Sequence, residues 1–214
     1  MRFSSGAPDE LSLDAALVTA PSGERFSSIS ACYIGPLDEG QQIIQPLREY
    51  GTPVERRIAP VPYLQIQSAG DSLFRRGRRY YWKAQFMREI TDQAIDTMLA
   101  AYMTAPSESL LVCSRLAAPS REYRWTERPT PIGMRFTIWD YPSDDETHIR
   151  WARDLWDAMR PFSTGGVYAN NLGEEGTDRV LAAYGENYPR LAALKNKYDP
   201  TNFFRLNQNI KPAT

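Results

Sequence analysis

The sequence predicts an α+β domain with a mostly antiparallel sheet and helices packed on one face. Two observations predict it. Strands and helices alternate along the chain, but the first two strand-like segments are joined by a tight turn, as hairpins are. An antiparallel or mixed sheet with helices on one face satisfies both.

LDAALVTAP, the turn Pro21-Ser22-Gly23 and RFSSISACYIG make the opening hairpin. A helix follows over about Leu37–Tyr50, with Ile43, Ile44, Leu47 and Tyr50 on one face and Gly51 as its stop. Pro46 falls inside that pattern and is expected to kink or interrupt it. A proline-rich stretch precedes a short helix from Tyr63 onward. The basic run Arg75, Arg76, Arg78, Arg79 leads into the strand YYWKAQFM. Its Tyr81, Lys83, Gln85 and Met87 share one face, and Trp82, Ala84 and Phe86 the other. The polar face is expected either to meet solvent or to line a site.

Thr91 caps a helix reaching Met103, with Ala94, Ile95, Met98, Leu99 and Tyr102 inward. Ser109–Leu116 and Gly133–Trp139 are further strands. The second sets Arg135, Thr137 and Trp139 opposite Phe136 and Ile138. Ser143-Asp144-Asp145-Glu146 reads as a capping box for a helix burying Ile149, Ala152, Leu155, Trp156 and Met159. GGVYANNLGEEG reads as a short strand leaving through a loop. Helical pattern resumes over Thr177–Lys197, broken near Pro189. In the closing YDPTNFFRLNQNIKP, the Asp199-Pro200-Thr201-Asn202 run is a turn that ends the helix, and Tyr198, Phe203 and Phe204 are expected core anchors.

Composition narrows the function. The 214 residues carry 25 Lys+Arg against 26 Asp+Glu, a net charge of -1, which argues against a general polyanion binder. The Arg75–Arg79 run is therefore read as a solvated loop rather than a nucleic-acid contact. No apolar run has the ~20 residues of a membrane span, and no signal peptide is seen, so the expected location is the cytoplasm. Cys32 and Cys113 stand far apart in apolar segments and read as buried thiols. His148, the one histidine, opens a helix and reads as a solvated surface residue. Histidine chemistry and a multi-histidine metal site are accordingly not expected.

The last fifty residues carry a specific signal. GGVYANNLGEEG followed by YGENYPRLAALKNKYDPTNFFRLNQNI resembles the C-terminal segment of berberine-bridge-enzyme-like FAD-linked oxidases. Tyr168-Ala169-Asn170, the YGENYxRL element and the DPxNxFRxNQNI tail stand in order and spacing. PDELSLDAALVTAPSG, the PLRxYG helix, GRRYYWKAQF and HIRWARDLWDAMRPF look like the same family's substrate domain, so the resemblance covers nearly the whole chain.

The resemblance implies a division into a substrate-binding domain of FAD-linked oxidase type, 1–165, and a berberine-like segment, 166–214, packed as one unit. It implies FAD as cofactor, with the flavin-binding domain and its covalent attachment residues absent here or supplied in trans. It implies a small-molecule substrate: an alcohol, sugar or secondary metabolite oxidised by hydride transfer to flavin, with O2 as acceptor. Tyr168 matches the position of a catalytic tyrosine in many relatives, and a phenol can act as base where a neighbour favours its anion. Asn170, Asn207 and Gln208 are the implied cofactor contacts, since amides answer both donor and acceptor edges of a flavin. Lys83, Gln85, Thr137 and Trp139 are the implied substrate contacts on a sheet that roofs the flavin. Each of these side chains also has a structural reading, as a core or solvated group. Two departures leave the substrate class open. Trp125-Thr126-Glu127-Arg128 stands where relatives have Pro-His-Arg, and Ala117-Ala118 replaces a Gly-Gly pair. A chain of this extent is expected to be inactive alone and to show exposed apolar surface and self-association. The alternative reading is a non-catalytic module that keeps the fold and binds a small ligand or a protein.

Overall fold

A computed structural model describes residues 3, 6–106, 109–115, 132–166, 168–173 and 175–212. The stretches Ala117-Ala118 and Trp125-Thr126-Glu127-Arg128 lie outside the described residues. A five-stranded antiparallel sheet is built from β1 (Leu11–Thr19), β2 (Arg25–Tyr33), β3 (Arg79–Phe86), β4 (Ser109–Arg115) and β5 (Ile132–Trp139), in the order β2-β1-β4-β5-β3. The hairpin turn closes with Gly23 N–H donating to the Ala20 carbonyl at 2.8 Å, and Gly23 takes a φ of 84° there.

Among the described residues six helices follow the chain: α1 (Leu37–Glu49), α2 (Tyr63–Gln67), α3 (Asp92–Met103), α4 (Asp145–Ala158), α5 (Thr177–Tyr184) and α6 (Tyr188–Tyr198). Helix α3 starts where the Thr91 hydroxyl accepts the Ala94 N–H at 3.1 Å. Helices α3 and α4 pack on one side of the sheet. The core between them holds Met87, Met98, Leu111, Trp151, Leu155 and Met159. Trp151 Nε1 donates to the Ala101 carbonyl at 3.0 Å, joining the two helices, and Thr19 and Tyr102 share a buried hydroxyl bond at 2.9 Å.

Register divides the sheet into two faces. Lys83 stands opposite Arg135 and Arg135 opposite Leu111, so all three share the helix-covered face with Tyr81, Gln85 and Cys113. Trp82, Met134, Phe136, Val112 and Ala16 share the other. Several of these are only half-buried, and Trp82 is 40% exposed. Phe74 covers part of this face, its ring 5.8 Å from Tyr80 and 6.0 Å from Phe136.

Several expectations are corrected. Helix α1 runs through Pro46 without interruption. The capping box does not form: Pro142–Asp144 is a 3₁₀ turn, Ser143 Oγ donates to Asp144 Oδ1, and no side chain caps α4. Leu99 is exposed rather than inward. Among the described residues of GGVYANN there is no strand. Ser163 forms one bridge with Met87, and Ala169–Asn171 is a 3₁₀ turn. The break expected near Pro189 is present: it falls at Gly185, at φ 50°, and Pro189 sits in the first turn of α6, where its missing N–H costs nothing. Tyr198, Phe203 and Phe204 stand more than 70% exposed instead of anchoring the core. Cys113 is buried as expected, but Cys32 on the edge strand is only half-buried.

Candidate functional site

The polar faces of β3 and β5 do not meet solvent. They lie beneath α4, and each of the four residues expected to touch substrate is buried with a partner inside the chain. Lys83 Nζ lies 3.1 Å from Glu175 Oε2 and 4.5 Å from the centroid of the Trp156 ring. Gln85 Nε2 donates to the Met159 carbonyl at 2.9 Å. Thr137 hydrogen-bonds His148 Nδ1, and Trp139 Nε1 donates to Asp145 Oδ1 at 2.7 Å. Alternation gives polar residues to one side of these strands. Which side the helices cover depends on the amphipathic pattern of α4, and that helix offers Trp151, Trp156 and His148 to the polar face.

His148 is thereby corrected from a surface residue to a buried one, 3% exposed. Its ring stacks on Trp139 with centroids 4.6 Å apart. Burial holds the imidazole below its ordinary pKa, against the opposing pull of Asp144 and Asp145. The arginine run serves packing at this end of the sheet. Arg78 pairs with Asp140 at 2.7 Å and Arg79 with Asp145 at 2.5 Å, and both carboxyls are held below the usual range by those bonds first.

Arg135 is the most deeply buried cation of this face, 1% exposed. Its Nη1 donates to the Gly133 carbonyl at 3.3 Å, and its Nε has no hydrogen-bond partner. Among the described residues no carboxylate pairs with it. Burial lowers the guanidinium pKa to about 10 and raises the neighbouring Cys113 thiol to about 11, so at neutral pH the arginine stays charged and the cysteine un-ionised.

The residues at Tyr168 occupy a different place. After α4 the chain runs along the end of β3, where Thr164 N–H donates to the Phe86 carbonyl at 3.0 Å. It then turns beside the open face. Asn170 Nδ2 donates to the Tyr168 hydroxyl oxygen at 2.8 Å, and Asn171 Nδ2 reaches Met134 Sδ at 3.2 Å. Tyr168 and Asn170 are therefore brought together, and Asn171, a third amide that the sequence did not single out, sets this segment beside the face on which, among the described residues, α3 and α4 do not pack.

The tail meets this segment at Leu172. Gln208 Nε2 donates to the Leu172 carbonyl at 2.7 Å, so it holds the chain just beyond Asn171. Asn207 adopts the left-handed conformation, φ 59°, with its side chain exposed. Asp199 accepts the Phe203 and Phe204 N–H groups at 2.7 and 3.0 Å and pairs with Lys195, which forms the expected turn after α6. Among the described residues no cluster of His, Cys, Asp and Glu could hold a metal, and no helix is long and apolar enough to cross a membrane.

Comparison with known proteins agrees with this arrangement. The family described as "Berberine and berberine like" matches residues 144–211, from the start of α4 to the tail. An FAD-linked oxidoreductase of Dictyostelium discoideum is 31% identical over 219 residues, covering 98% of this chain and 46% of that protein. YgaK, an uncharacterised FAD-linked oxidoreductase of Bacillus subtilis, is 25% identical over 194 residues, covering 84% of this chain and 42% of that protein. Among solved structures, 6-hydroxy-D-nicotine oxidase from Arthrobacter nicotinovorans superposes with a TM-score of 0.84 at 20% identity, covering 99% of this chain and 50% of that one. The chain thus spans about half the length of the relatives it matches. In sequence, tail motif and sheet architecture alike, it belongs to the berberine-bridge-enzyme-like family of FAD-linked oxidases.

Proposed function

We propose that this chain is the substrate-side part of an FAD-dependent oxidoreductase, and that residues 1–165 and 166–214 act in it as one unit. The observation that carries the reading is the Tyr168–Asn170 pair in a segment that Asn171 holds against Met134, on the sheet face that α3 and α4 leave uncovered among the described residues. That face fits one part of the cofactor. Val112, Met134, Phe136 and Trp82 offer a flat apolar wall of the kind a planar ring stacks on, and Asn170 and Asn171 supply amides at its edge. It does not fit the other part. A pyrophosphate needs backbone N–H groups gathered at a glycine-rich turn, and the sequence has no such turn of the dinucleotide type. The phosphates would be held by a flavin-binding domain, in the same polypeptide or in trans.

Bound FAD would supply the hydride acceptor for oxidation of an alcohol, sugar or secondary metabolite, with O2 as final acceptor. The chain's own residues would do the rest. Tyr168 takes the hydroxyl proton of the substrate, and Asn170 fixes the phenol oxygen so that the proton moves along one defined line. The apolar wall excludes water from that side. Lys83, Gln85, Thr137 and Trp139 stand under α4 and act by supporting the sheet rather than by touching substrate.

The test is the visible absorption spectrum of the purified chain after incubation with FAD and gel filtration. A colourless protein peak is the expected result. A flavin band that travels with the protein would mean that the chain holds the cofactor unaided, and would overturn the division of labour proposed here. The same column run with light scattering tests self-association through exposed Phe203, Phe204 and Leu206. A monodisperse monomer would count against it.

A further inference from the structure

Among the described residues, the segment that starts at Ser163 and reaches Glu175 is fastened to β3 at two places. The first fastening is at the strand end, where Ser163 bridges Met87 and Thr164 N–H bonds the Phe86 carbonyl. The second lies about 10 Å back along the strand. There Glu175 Oε2 sits between Lys83 Nζ at 3.1 Å and Arg179 Nε at 3.3 Å, with only 10%, 10% and 18% of the three side chains exposed. The Trp156 ring lies under both cations, 4.5 Å from Lys83 Nζ and 5.2 Å from the Arg179 guanidinium carbon. Arg179 Nη1 also donates to the Gly165 carbonyl at 3.3 Å, tying the end of the segment to its beginning. Tyr168 and Asn170 lie between the two fastenings.

Covered ion pairs of this kind are poor sources of stability, because desolvating both charges offsets most of their attraction. Apolar side chains would pack Lys83 and Glu175 as well. What the pair provides is position: a carboxylate with two cations has one place to sit, whereas an apolar contact slides. We propose that Lys83, Glu175 and Arg179 form a latch that sets where the Tyr168–Asn170 pair stands at the open face. Lys83 and Glu175 are then positioning residues. The catalytic consequence rests on the reading of Tyr168 given above; the latch itself does not.

The test uses the whole 214-residue chain, isotope-labelled for NMR. In Lys83→Met and in Glu175→Gln, backbone amide exchange over residues 168–173 should rise about tenfold while β4 keeps its protection. The Asn170 side-chain amide should lose the resonance position that its bond to Tyr168 gives it. Lys83→Arg, which keeps the charge, should leave both readings near those of the parent. Unchanged exchange in both variants would overturn the proposal. So would a loss of protection spread evenly over β4 and the segment, or a Lys83→Arg variant that behaves like Lys83→Met. No flavin and no turnover enter this experiment, so it fails or succeeds independently of the Tyr168 reading, which Tyr168→Phe tests by itself.

Discussion

The indole of Trp139 and the imidazole of His148 stack with centroids 4.6 Å apart and planes 10° from parallel, which seals the start of α4 onto β5. Thr137 holds the ring's Nδ1 from below, and Asp145 takes the indole N–H at 2.7 Å. The one histidine of the chain is thus a structural part of the sheet–helix contact, and its burial there disfavours the protonated ring.

Burial holds His148 below its ordinary pKa of 6.5. The unfolded chain therefore takes up this proton at a higher pH than the folded one, and between the two values stability rises with pH. The contribution is complete above pH ~7.5 and is lost as pH falls through ~6.5 toward the folded value, with a slope of at most about 1.4 kcal/mol per pH unit. Urea midpoints at pH 7.5 and 5.5 should show the drop, and His148→Asn should flatten it. An equal slope in that variant would assign the effect to other groups.

Gly40 should resist alanine although it lies inside a helix. Glycine to alanine there ordinarily gains about 1 kcal/mol. Here the added Cβ would stand 2.6 Å from Cδ1 of Tyr33, whose hydroxyl is bonded to Glu39 at 3.1 Å. Displacing the ring should make Gly40→Ala a net loss of about 1–2 kcal/mol. Combining it with Tyr33→Ala should restore the helix gain. A single variant more stable than the parent would show that the ring moves at no cost.

Among the described residues the buried charge of Arg135 meets the Gly133 carbonyl and no carboxylate. Groups of this kind are often replaced by well-packed apolar side chains at no loss, or with a gain of about 1–4 kcal/mol. Arg135→Met should therefore match or exceed the parent in thermal unfolding. A loss of more than about 2 kcal/mol would mean that the guanidinium supports the sheet through its packed stem.

The strands, their hairpin and the main helices were legible because apolar alternation and helical spacing are local signals. Thr91 could be read as a cap for the same reason. The side of the sheet that helices cover was not legible. Period-two alternation separates Lys83 from Trp82, but only tertiary packing decides which of them faces α4. That is why four polar strand residues read as substrate contacts lie in the interior. Tyr168 and Asn170 were singled out through the family motif, whereas Asn171 and Glu175 have no motif of their own. The Glu175–Arg179 spacing of four was the one local hint of the latch. The exposed Phe203 and Phe204 misled for the opposite reason: aromatic residues in a short tail read as anchors, and here Asp199 folds the tail back on its own backbone instead.

The phenol of Tyr168 leads to the last prediction, made for the chain joined to a flavin-binding domain. A base acts only in the step that moves the substrate proton, so its removal should lower kcat and kcat/KM together and leave substrate binding nearly unchanged. Tyr168→Phe keeps the ring and deletes only the oxygen that Asn170 now holds at 2.8 Å. A loss of about 10²–10⁴ in kcat is expected. Asn170→Ala removes the partner but not the base, and should cost less, because the phenol remains and only its orientation is released. If both variants rise in KM at constant kcat, the pair binds substrate without taking its proton, and the base lies elsewhere on the open face. If Asn170→Ala costs as much as Tyr168→Phe, the amide does more than orient the phenol, and the two act as one unit.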